Sequence, residues 1–420
     1  MTDVAIAGGG LAGLVAARHL AGLGHDVTVF ERADAVGGRV RSREVDGFTL
    51  DRGFQVLFTG YPAVRAELDL DALDLRGFSP GATIARPAHR STLADPFRAP
   101  TDAVASALNT DVTFMDKLTT LRLRRALRSE DPETLFDGPD ETIREYLVRW
   151  GFSEAFLSKF AEPFYGGITL DRSLTTDAGV FRYTFAMLTR GETVVPADGM
   201  GAIPAQLADR AREAGAHIET GTPVRAVDAA DGEATVETDG ESVTADAVVV
   251  ATDPHAAREL TGVEAVPTEG QSCVTQYFAL DRRTLDTGRK LILNAAGERP
   301  NTVAPLSAVA PEYAPDGRTL LSATTLGDPD AGDEELATAV TDALVTWYPE
   351  HRFDALEHLA TDRIEFAQFD QPPGFRDDLP AVDAPDGPVY LAGDHTRWSS
   401  IQGALDSGRA AAEAVQADLE

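Results

Sequence analysis

DVAIAGGGLAGLVAARHLAGLGHDVTVFE, residues 3–31, contains an apolar run, a glycine-rich turn, a run of small residues and a second apolar run. Residues 3–7 predict a strand, residues 14–23 predict a helix that ends at a glycine, and residues 26–30 predict a second strand. A strand, a helix and a strand in such close succession form a compact βαβ unit. We therefore expect the chain to be built around a parallel sheet.

The glycine turn has the spacing Gly8-x-Gly10-x-x-Gly13 between the first strand and the helix. Gly8 permits the tight turn, Gly10 lets the backbone approach a pyrophosphate, and Gly13 lets the helix pack close to the strand. The N-terminus of the predicted helix would attract the phosphate charge. The order of strand, turn and helix favours a dinucleotide site over a glycine turn without a ligand.

Glu31 ends the second strand, where a carboxylate would lie near a ribose 2′-hydroxyl group. A carboxylate there would repel a 2′-phosphate, which disfavours NADP as the ligand. The adjacent Arg32 either lies on the surface or follows the adenosine.

A second glycine pair, Gly37-Gly38, precedes Arg39. Paired glycines let the backbone run close to a bound cofactor. Arg39 could then bind the diphosphate through charge-assisted hydrogen bonds. The alternative is a polar loop with scattered arginines, but the position of Arg39 after the strand that ends in an acid favours the phosphate role.

A third motif lies near the C-terminus, where Gly393-Asp394 is followed by a serine N-cap and a helix. Gly393 allows a tight turn, and Asp394 is placed to accept hydrogen bonds from a ligand or from the backbone. The N–H groups near Ile401 and Gln402 would point out of the helix start and favour negative charge. Ordinary helix capping is the alternative.

The remaining pattern predicts a nucleotide domain that is interrupted twice. Its pieces are residues 1–78, 196–262 and 385–420, and the inserted substrate domain consists of residues 79–195, mainly helical, and residues 263–384. Further strands are predicted at residues 216–227, 234–238, 243–251, 270–281, 319–325 and 389–392, and further helices at residues 203–214, 333–349 and 400–417.

The 420-residue chain has 68 acidic and 37 basic residues and a formal net charge of −31. This charge predicts repulsion from nucleic acids and from anionic membrane surfaces. We interpret it as adaptation to high salt, which would screen the self-repulsion. The sequence shows neither a run of about 20 apolar residues that would span a membrane nor a signal-peptide pattern, so we expect a cytoplasmic protein.

The chain has one cysteine, Cys273, which is either a reactive thiol or a small buried residue in a strand. The eight histidines are dispersed, so we expect no metal site. Of these, His395 lies either near the ligand or in a loop bonded to backbone.

The motifs together resemble those of the flavin amine oxidase and phytoene desaturase superfamily, and the resemblance spans nearly the whole chain. Asp51-Arg-Gly53 and Asp198-Gly-Met200 also match. The resemblance implies a GR2-type flavoprotein: an α/β, Rossmann-like FAD-binding domain interrupted by a mixed α+β substrate domain. On it, the FAD-binding residues are Gly8, Gly10, Leu11, Ala12, Gly13, Glu31, Arg32, Gly38, Arg39, Gly53, Phe54, Gln55, Val56, Val224, Ala251, Gly393, Asp394, Ile401 and Gln402.

Three departures from the family pattern favour the desaturase side of this superfamily over a typical amine oxidase. Residues 274–280 lack the lysine that amine oxidases keep near flavin N5. Ser400 or its neighbour replaces an aromatic cage residue, and no cysteine stands where a covalent flavin link would form, so we expect non-covalent FAD. Residues 162–168 and 195–200 look more like the desaturase side.

The function implied is hydride transfer from a C–H bond of an apolar or bulky organic molecule to flavin N5. The substrate, the electron acceptor, the oligomeric state and any catalytic acid or base stay open. Alternatives are a redox-neutral isomerase or mutase, an amine or protoporphyrinogen oxidase, and a flavin-free prenyl-protein escort. Trp398 either forms a wall of the flavin pocket or fills the core. The aromatic residues of the inserted domain either line a hydrophobic tunnel or form plain core: these are Phe160, Phe164, Tyr165, Phe181, Tyr183 and Phe185.

Overall fold

The computed structural model of the chain describes residues 2–94, 99, 103–230, 232–281 and 285–420. The strands within these ranges are, in chain order, β1 Asp3–Ala7, β2 Asp26–Glu31, β3 Ser42–Val45, β4 Phe48–Asp51, β5 Leu57–Phe58, β6 Leu75–Gly77, β7 Ala82–Arg86, β8 His89–Leu93, β9 Thr193–Pro196, β10 His217–Thr220, β11 Val224–Ala230, β12 Glu233–Thr238, β13 Ser242–Ala245, β14 Ala247–Val250, β15 Gly270–Asp281, β16 Leu291–Asn294, β17 Thr302–Ala304, β18 Arg318–Leu326, β19 Glu357–Phe369 and β20 Val389–Leu391.

The α-helices are, in the same order, α1 Leu11–Gly22, α2 Pro62–Glu67, α3 Ala103–Leu108, α4 Phe114–Arg128, α5 Ile143–Trp150, α6 Glu154–Phe156, α7 Glu162–Thr169, α8 Ala178–Arg190, α9 Ala202–Glu213, α10 Pro254–Thr261, α11 Leu306–Val309, α12 Asp333–Trp347 and α13 Ile401–Leu419. A π-helical turn, Leu157–Ala161, joins α6 to α7. Within the described ranges, no helix is both long and apolar enough to cross a bilayer.

A five-stranded sheet with the order β10-β2-β1-β14-β20 forms the centre of the α/β region. All four strand pairings in it are parallel. Every residue of β14 is buried, as expected for a parallel strand covered on both faces. The predicted fold class, α/β and Rossmann-like, is confirmed.

Helix α13 crosses α1 at very short range because small residues face each other there. A Cβ atom added at Gly408 would lie 2.3 Å from the carbonyl oxygen of Ala12. Any larger residue at this position would therefore push the two helices apart. This close crossing fixes the start of α13 beside the carboxyl end of the parallel sheet.

Two predicted strands are each divided in the structure, so these two predictions are wrong in detail. Residues 216–227 form β10 in the parallel sheet and β11 in the antiparallel sheet β11-β12-β13. The break occurs where Gly221 has a φ of +72° and Pro223 lacks an N–H group. Residues 243–251 form β13 and β14, separated by Asp246, whose carboxylate accepts a hydrogen bond from the Asp3 N–H group.

A seven-stranded sheet has the order β19-β15-β18-β17-β16-β7-β8. The predicted strands at residues 270–281 and 319–325 are confirmed as β15 and β18. The edge strand β19 was not predicted, because it is only partly buried and carries charged residues such as Asp362, Arg363 and Glu365. The assignment of whole segments to separate domains stays a prediction.

The helices between residues 103 and 190 pack together around buried leucines and aromatic rings. The carboxylate of Asp116 caps α4 by accepting hydrogen bonds from the Thr113 N–H group at 2.8 Å and from the Ser153 hydroxyl at 2.7 Å. This bond to Ser153 ties the start of α4 to the start of α6. The π-helical turn that follows α6 is a feature often found near functional sites.

Candidate cofactor and substrate site

One cavity of 1720 Å³ begins at the carboxyl end of the parallel sheet and extends between helices α4, α7 and α8. The carboxyl end of such a sheet is where open α/β folds bind their ligands. A pocket for one drug-sized ligand measures roughly 300–1,000 Å³, so this cavity has room for two molecules. It is lined by all of the predicted cofactor-binding residues except Gly13 and Gln402.

The N-terminus of α1 opens into this cavity without a side-chain cap. Its N-cap residue is Gly10, and a Cβ atom added there would meet nothing within 4 Å. The first N–H groups of a helix have no partner within the helix and carry partial positive charge. An uncapped helix start beside an open space therefore suits a phosphate.

Two further glycines are required by close backbone packing. A Cβ atom at Gly8 would lie 2.5 Å from the carbonyl oxygen of Ala251, and one at Gly13 would lie 2.0 Å from the carbonyl oxygen of Gly8. Gly13 therefore holds α1 against the turn, which is why it does not line the cavity. Ala251 lines the cavity at the end of β14, and so does Val224 at the start of β11.

The buried carboxylate of Glu31 closes the turn from the side of β2. Its Oε2 atom accepts a hydrogen bond from the Gly9 N–H group at 2.8 Å, and its Oε1 atom accepts one from the Ala33 N–H group at 2.9 Å. Each carboxylate oxygen has a second lone pair, so Glu31 can also accept a ligand hydroxyl. Arg32 is 71% exposed and lies 3.2 Å from a carboxylate oxygen of Asp253.

An ion pair joins the N-terminal and C-terminal motifs. Arg39 donates to the Oδ1 atom of Asp394 at 2.6 Å, and Ser399 donates to the Oδ2 atom of Asp394 at 3.0 Å. Arg39 also donates to the carbonyl oxygen of Ala367 on β19 at 3.1 Å. Arg39 is the residue predicted to bind the phosphate, and the buried carboxylate of Asp394 holds its guanidinium group at the cavity.

Helix α13 begins at the cavity, as expected. Ser400 is the N-cap, and its hydroxyl accepts a hydrogen bond from the Gly403 N–H group at 2.8 Å. Ile401 lines the cavity. The side chain of Gln402 points elsewhere, since its oxygen accepts a hydrogen bond from the Ala63 N–H group at 2.9 Å. Only the backbone of Gln402 is therefore left to serve a ligand.

Asp51, the last residue of β4, holds four other chain segments together. Its Oδ1 atom accepts hydrogen bonds from the Ser42 hydroxyl at 2.5 Å and from the Met200 N–H group at 2.8 Å. Tyr313 donates to the Oδ2 atom at 3.2 Å, and Tyr277 donates to the Asp51 carbonyl oxygen. Burial raises the pKa of Asp51 to about 6.

The cavity wall continues directly from Asp51 through residues 52–56. Gly53 has a φ of +79°, and a Cβ atom there would lie 2.7 Å from the Ile364 side chain. Gln55 donates to the carbonyl oxygen of Arg39 at 2.9 Å. This loop therefore stands between the glycine-rich half of the cavity and the strand β19, a position fixed by Asp51.

His395 is fully buried behind the Gly393 turn and does not line the cavity. Its ring fills the space that a Cβ atom at Gly393 would occupy, since Cε1 would lie only 2.3 Å from that atom. Neither ring nitrogen has a hydrogen-bond partner among the described residues. Burial lowers the pKa of His395 to about 4, so the ring is neutral at physiological pH. The prediction that His395 is bonded to backbone is therefore wrong, and its alternative position near the ligand stays a prediction.

The far half of the cavity is aromatic. Rings of Phe156, Phe160 and Phe164 follow one another along the π-helical turn and α7, with centroids 5.2 and 5.1 Å apart. Of the predicted tunnel residues, all but Tyr183 line the cavity; Phe156 and Phe152 line it as well. Tyr183 packs behind the wall, against Trp398 at a centroid distance of 5.2 Å.

Trp398 therefore both lines the cavity and belongs to the core. Cys273 also reaches the cavity, from β15, and burial raises the pKa of its thiol to about 11. A thiol with so high a pKa stays protonated and unreactive at neutral pH.

Sequence reasoning missed several parts of the cavity wall. They include residues in the segments 78–81, 252–260 and 363–368, and the face of α4 that carries Lys117, Thr120, Leu121 and Arg124. An available signal was the helical spacing of Lys117, Leu121 and Arg124, which places them on one side of α4.

A family model described as flavin containing amine oxidoreductase matches residues 11–416 of this chain. The phytoene dehydrogenase of Streptomyces griseus is 29% identical over 299 residues, which cover 62% of this chain and 56% of that protein. The 4,4'-diapophytoene desaturase of Staphylococcus haemolyticus is 50% identical over 50 residues, which cover 12% of this chain and 10% of that protein. The chain thus matches little more than half the length of the first relative and a tenth of the second.

Among solved structures, a protein from Exiguobacterium sp. 255-15 described as a candidate protoporphyrinogen oxidase has a TM-score of 0.75. It is 19% identical, and the alignment covers 99% of both chains. At this identity the likeness concerns the fold alone.

Proposed function

The chain belongs to the flavin containing amine oxidoreductase family, and from this premise we propose that it is an FAD-dependent enzyme that oxidises an apolar or bulky organic substrate by hydride transfer. We further propose that FAD is bound without a covalent link, through the residues of the glycine-rich half of the cavity. The observation that carries this proposal is the single cavity in which the three dinucleotide motifs and an aromatic wall meet.

The features of the glycine-rich half fit FAD. An uncapped helix start at Gly10 would take the diphosphate together with Arg39, and Glu31 would accept a ribose hydroxyl. Asp394 and the start of α13 would take the ribityl and pyrimidine end of the cofactor. When bound, the flavin would supply the hydride acceptor.

The aromatic half supports an apolar substrate. None of the described cavity-lining residues between 106 and 193 is acidic, and most of them are aromatic or aliphatic. A protonated amine buried there would have no carboxylate partner, which is costly. The two relatives are named as a phytoene dehydrogenase and a 4,4'-diapophytoene desaturase, and these names support the same assignment.

The protein's own part in the reaction would be to bind, orient and exclude water. Hydride transfer from a C–H bond depends on alignment of the reacting atoms within the site. We therefore propose no catalytic acid or base. Phe160 and Phe164 would orient a flat or extended apolar molecule by stacking, and Trp398 would separate its reacting carbon atom from solvent.

The test uses two samples of the purified protein. One sample is treated with acid to release and identify the cofactor. The other stays intact without oxygen, and flavin bleaching is followed on adding a linear carotenoid precursor, a porphyrinogen or a primary amine. We expect free FAD in the acid supernatant and bleaching by the carotenoid precursor alone. Bleaching by the porphyrinogen or the amine alone would refute the substrate assignment. Isomerised substrate without bleaching would favour the redox-neutral alternative, and a colourless protein that binds no FAD would favour the escort alternative.

A matched pair of variants tests the aromatic wall. Phe160→Trp should narrow the cavity and raise KM for the carotenoid precursor at least tenfold. Tyr183→Phe, which changes a ring behind the wall, should leave KM within about twofold. Equal effects of the two variants would contradict the assignment of the substrate to this half of the cavity.

A further inference from the structure

Three neighbouring strands of the seven-stranded sheet place a row of threonines on one face. In the pairing of β15 with β18, Thr275 stands opposite Thr324, and in the pairing of β17 with β18, Thr302 stands opposite the same Thr324. Residues directly opposite each other in antiparallel strands point to the same face of the sheet. The three side chains therefore form a threonine row across the strands, with Thr324 in the middle.

The threonine row lies where the two halves of the cavity meet. At one end, the Thr275 hydroxyl would lie 3.9 Å from a Cβ atom added at Gly53, in the loop that borders the glycine-rich half. At the other end, the Cγ2 atom of Thr302 would lie 3.6 Å from a Cβ atom added at Gly167, on α7 in the aromatic half. Thr302 and Thr324 both line the cavity. Thr324 therefore stands between the two halves.

The hydroxyl of Thr324 has no hydrogen-bond partner among the described residues, although Thr324 is only 5% exposed. The hydroxyl of the fully buried Thr275 also lacks a well-formed hydrogen bond; it lies beside the thiol of Cys273, which is a weak partner. Most buried hydroxyl groups in folded proteins are hydrogen-bonded, because burying one without a partner costs free energy. A buried hydroxyl that faces a cavity and lacks a partner in the protein therefore points to a ligand group.

Ser322 provides a comparison within the same strand. It lies two residues before Thr324 on β18, opposite Tyr277, and its hydroxyl also has no partner among the described residues. Ser322 does not line the cavity, whereas Thr324 does. Of these two hydroxyls, that of Thr324 is therefore the one that a ligand could reach.

We propose that the Thr324 hydroxyl donates a hydrogen bond to the isoalloxazine ring of FAD and so holds the ring at the junction of the two halves. This inference rests on the proposed function, in which the diphosphate lies at Gly10 and the ribityl and pyrimidine end lies near Asp394. From there the ring would extend toward the aromatic half to meet the substrate, and the threonine row borders that junction. The oxygen and nitrogen atoms at the polar edge of the ring can accept a hydrogen bond, and a hydroxyl can donate one.

The experiment measures the dissociation constant of FAD from the holoprotein, by the fluorescence of the flavin that is released on dilution. Thr324→Val keeps the branched shape of the side chain and removes the hydroxyl, so it should weaken FAD binding by about fivefold or more. Thr324→Ser keeps the hydroxyl and should stay within about twofold of the parent. Ser322→Ala removes the hydroxyl that lies outside the cavity and should also stay within about twofold.

Two further measurements separate a contact with the ring from general damage to the fold. The long-wavelength absorption band of the bound flavin should shift in Thr324→Val and stay in place in Thr324→Ser and Ser322→Ala. ADP, which lacks the ring, should compete with FAD with the same dissociation constant in the parent and in Thr324→Val. An equal loss of ADP and FAD binding in Thr324→Val would overturn the inference, because the effect would then not concern the ring.

The remaining outcomes distinguish this inference from the function on which it rests. A parent that holds FAD, with the same dissociation constant and absorption band in Thr324→Val, would overturn the inference and leave the proposed function standing. An unchanged FAD constant with a raised KM would overturn it in favour of a hydrogen bond to the substrate. A parent that binds no FAD would overturn the proposed function and this inference together.

Discussion

Asp51→Asn should change how the stability of the protein depends on pH. Asp51 is 3% exposed, and burial raises its pKa from the ordinary value of 3.8 to about 6. The folded state therefore binds more protons than the unfolded state between these two pH values, and its stability falls as pH rises through this window. The full loss is about 3 kcal/mol, of which roughly half falls between pH 5 and pH 8.

Asparagine keeps the oxygen that accepts hydrogen bonds from Ser42 and Met200, and its NH₂ group can donate to the Tyr313 hydroxyl oxygen. The assay is urea unfolding of parent and variant at pH 5, 6, 7 and 8. The free energy of unfolding of Asp51→Asn minus that of the parent should increase by about 1 kcal/mol from pH 5 to pH 8. A difference that stays constant within about 0.3 kcal/mol would refute the reasoning, and so would a difference that decreases.

Four further results are expected. Gly13→Ala should abolish flavin binding or folding, because the added Cβ atom would lie 2.0 Å from a backbone oxygen. In the control Gly22→Ala, on the same helix, the added Cβ atom meets nothing within 4 Å, so urea unfolding should show no change or a stabilisation of up to about 1 kcal/mol. Arg39→Ala should weaken flavin binding at least tenfold in an apoprotein titration, and the 71% exposed Arg32→Ala should change it less than threefold. The free energy of unfolding of the parent should fall by about 2 kcal/mol from pH 8 to pH 5 through His395, because the unfolded ring has a pKa near 6.5 and the buried ring one of about 4. His395→Leu should remove this fall, and an unchanged pH dependence in the variant would contradict the reasoning. The melting temperature should rise from low to molar KCl, because salt screens the self-repulsion of the charge of −31. A melting temperature that does not change with KCl would contradict salt adaptation.

The parallel sheet could be predicted from sequence because its strands carry their own signal. Residues 4–7 and 247–250 are buried and are apolar throughout, so no tertiary information is needed to recognise them. Strand β19 gave no such signal, since an edge strand keeps charged residues facing solvent. The antiparallel partner β15 defines β19 through pairing, which a single sequence does not display.

The close-packed turn glycines Gly8 and Gly13 could also be predicted, because each of them reflects a local backbone requirement. The ion pair of Arg39 with Asp394 could not, since 355 residues separate the two and either side chain has a sufficient local explanation. The same holds for Asp51, whose partners come from four distant segments. The contribution of α4 to the cavity wall was not predicted, because its lining residues share only a helical spacing and no recognisable motif.

The close crossing of α1 and α13 through Gly408 also has a consequence for the order in which the protein matures. The βαβ unit of residues 3–31 leaves the ribosome before the turn at Gly393 and the start of α13, which are synthesised about 360 residues later. Until then the turn that we propose for the cofactor diphosphate lacks its C-terminal half, and the cavity stays open on that side. We therefore expect stable flavin binding only after α13 has been synthesised and has packed against α1.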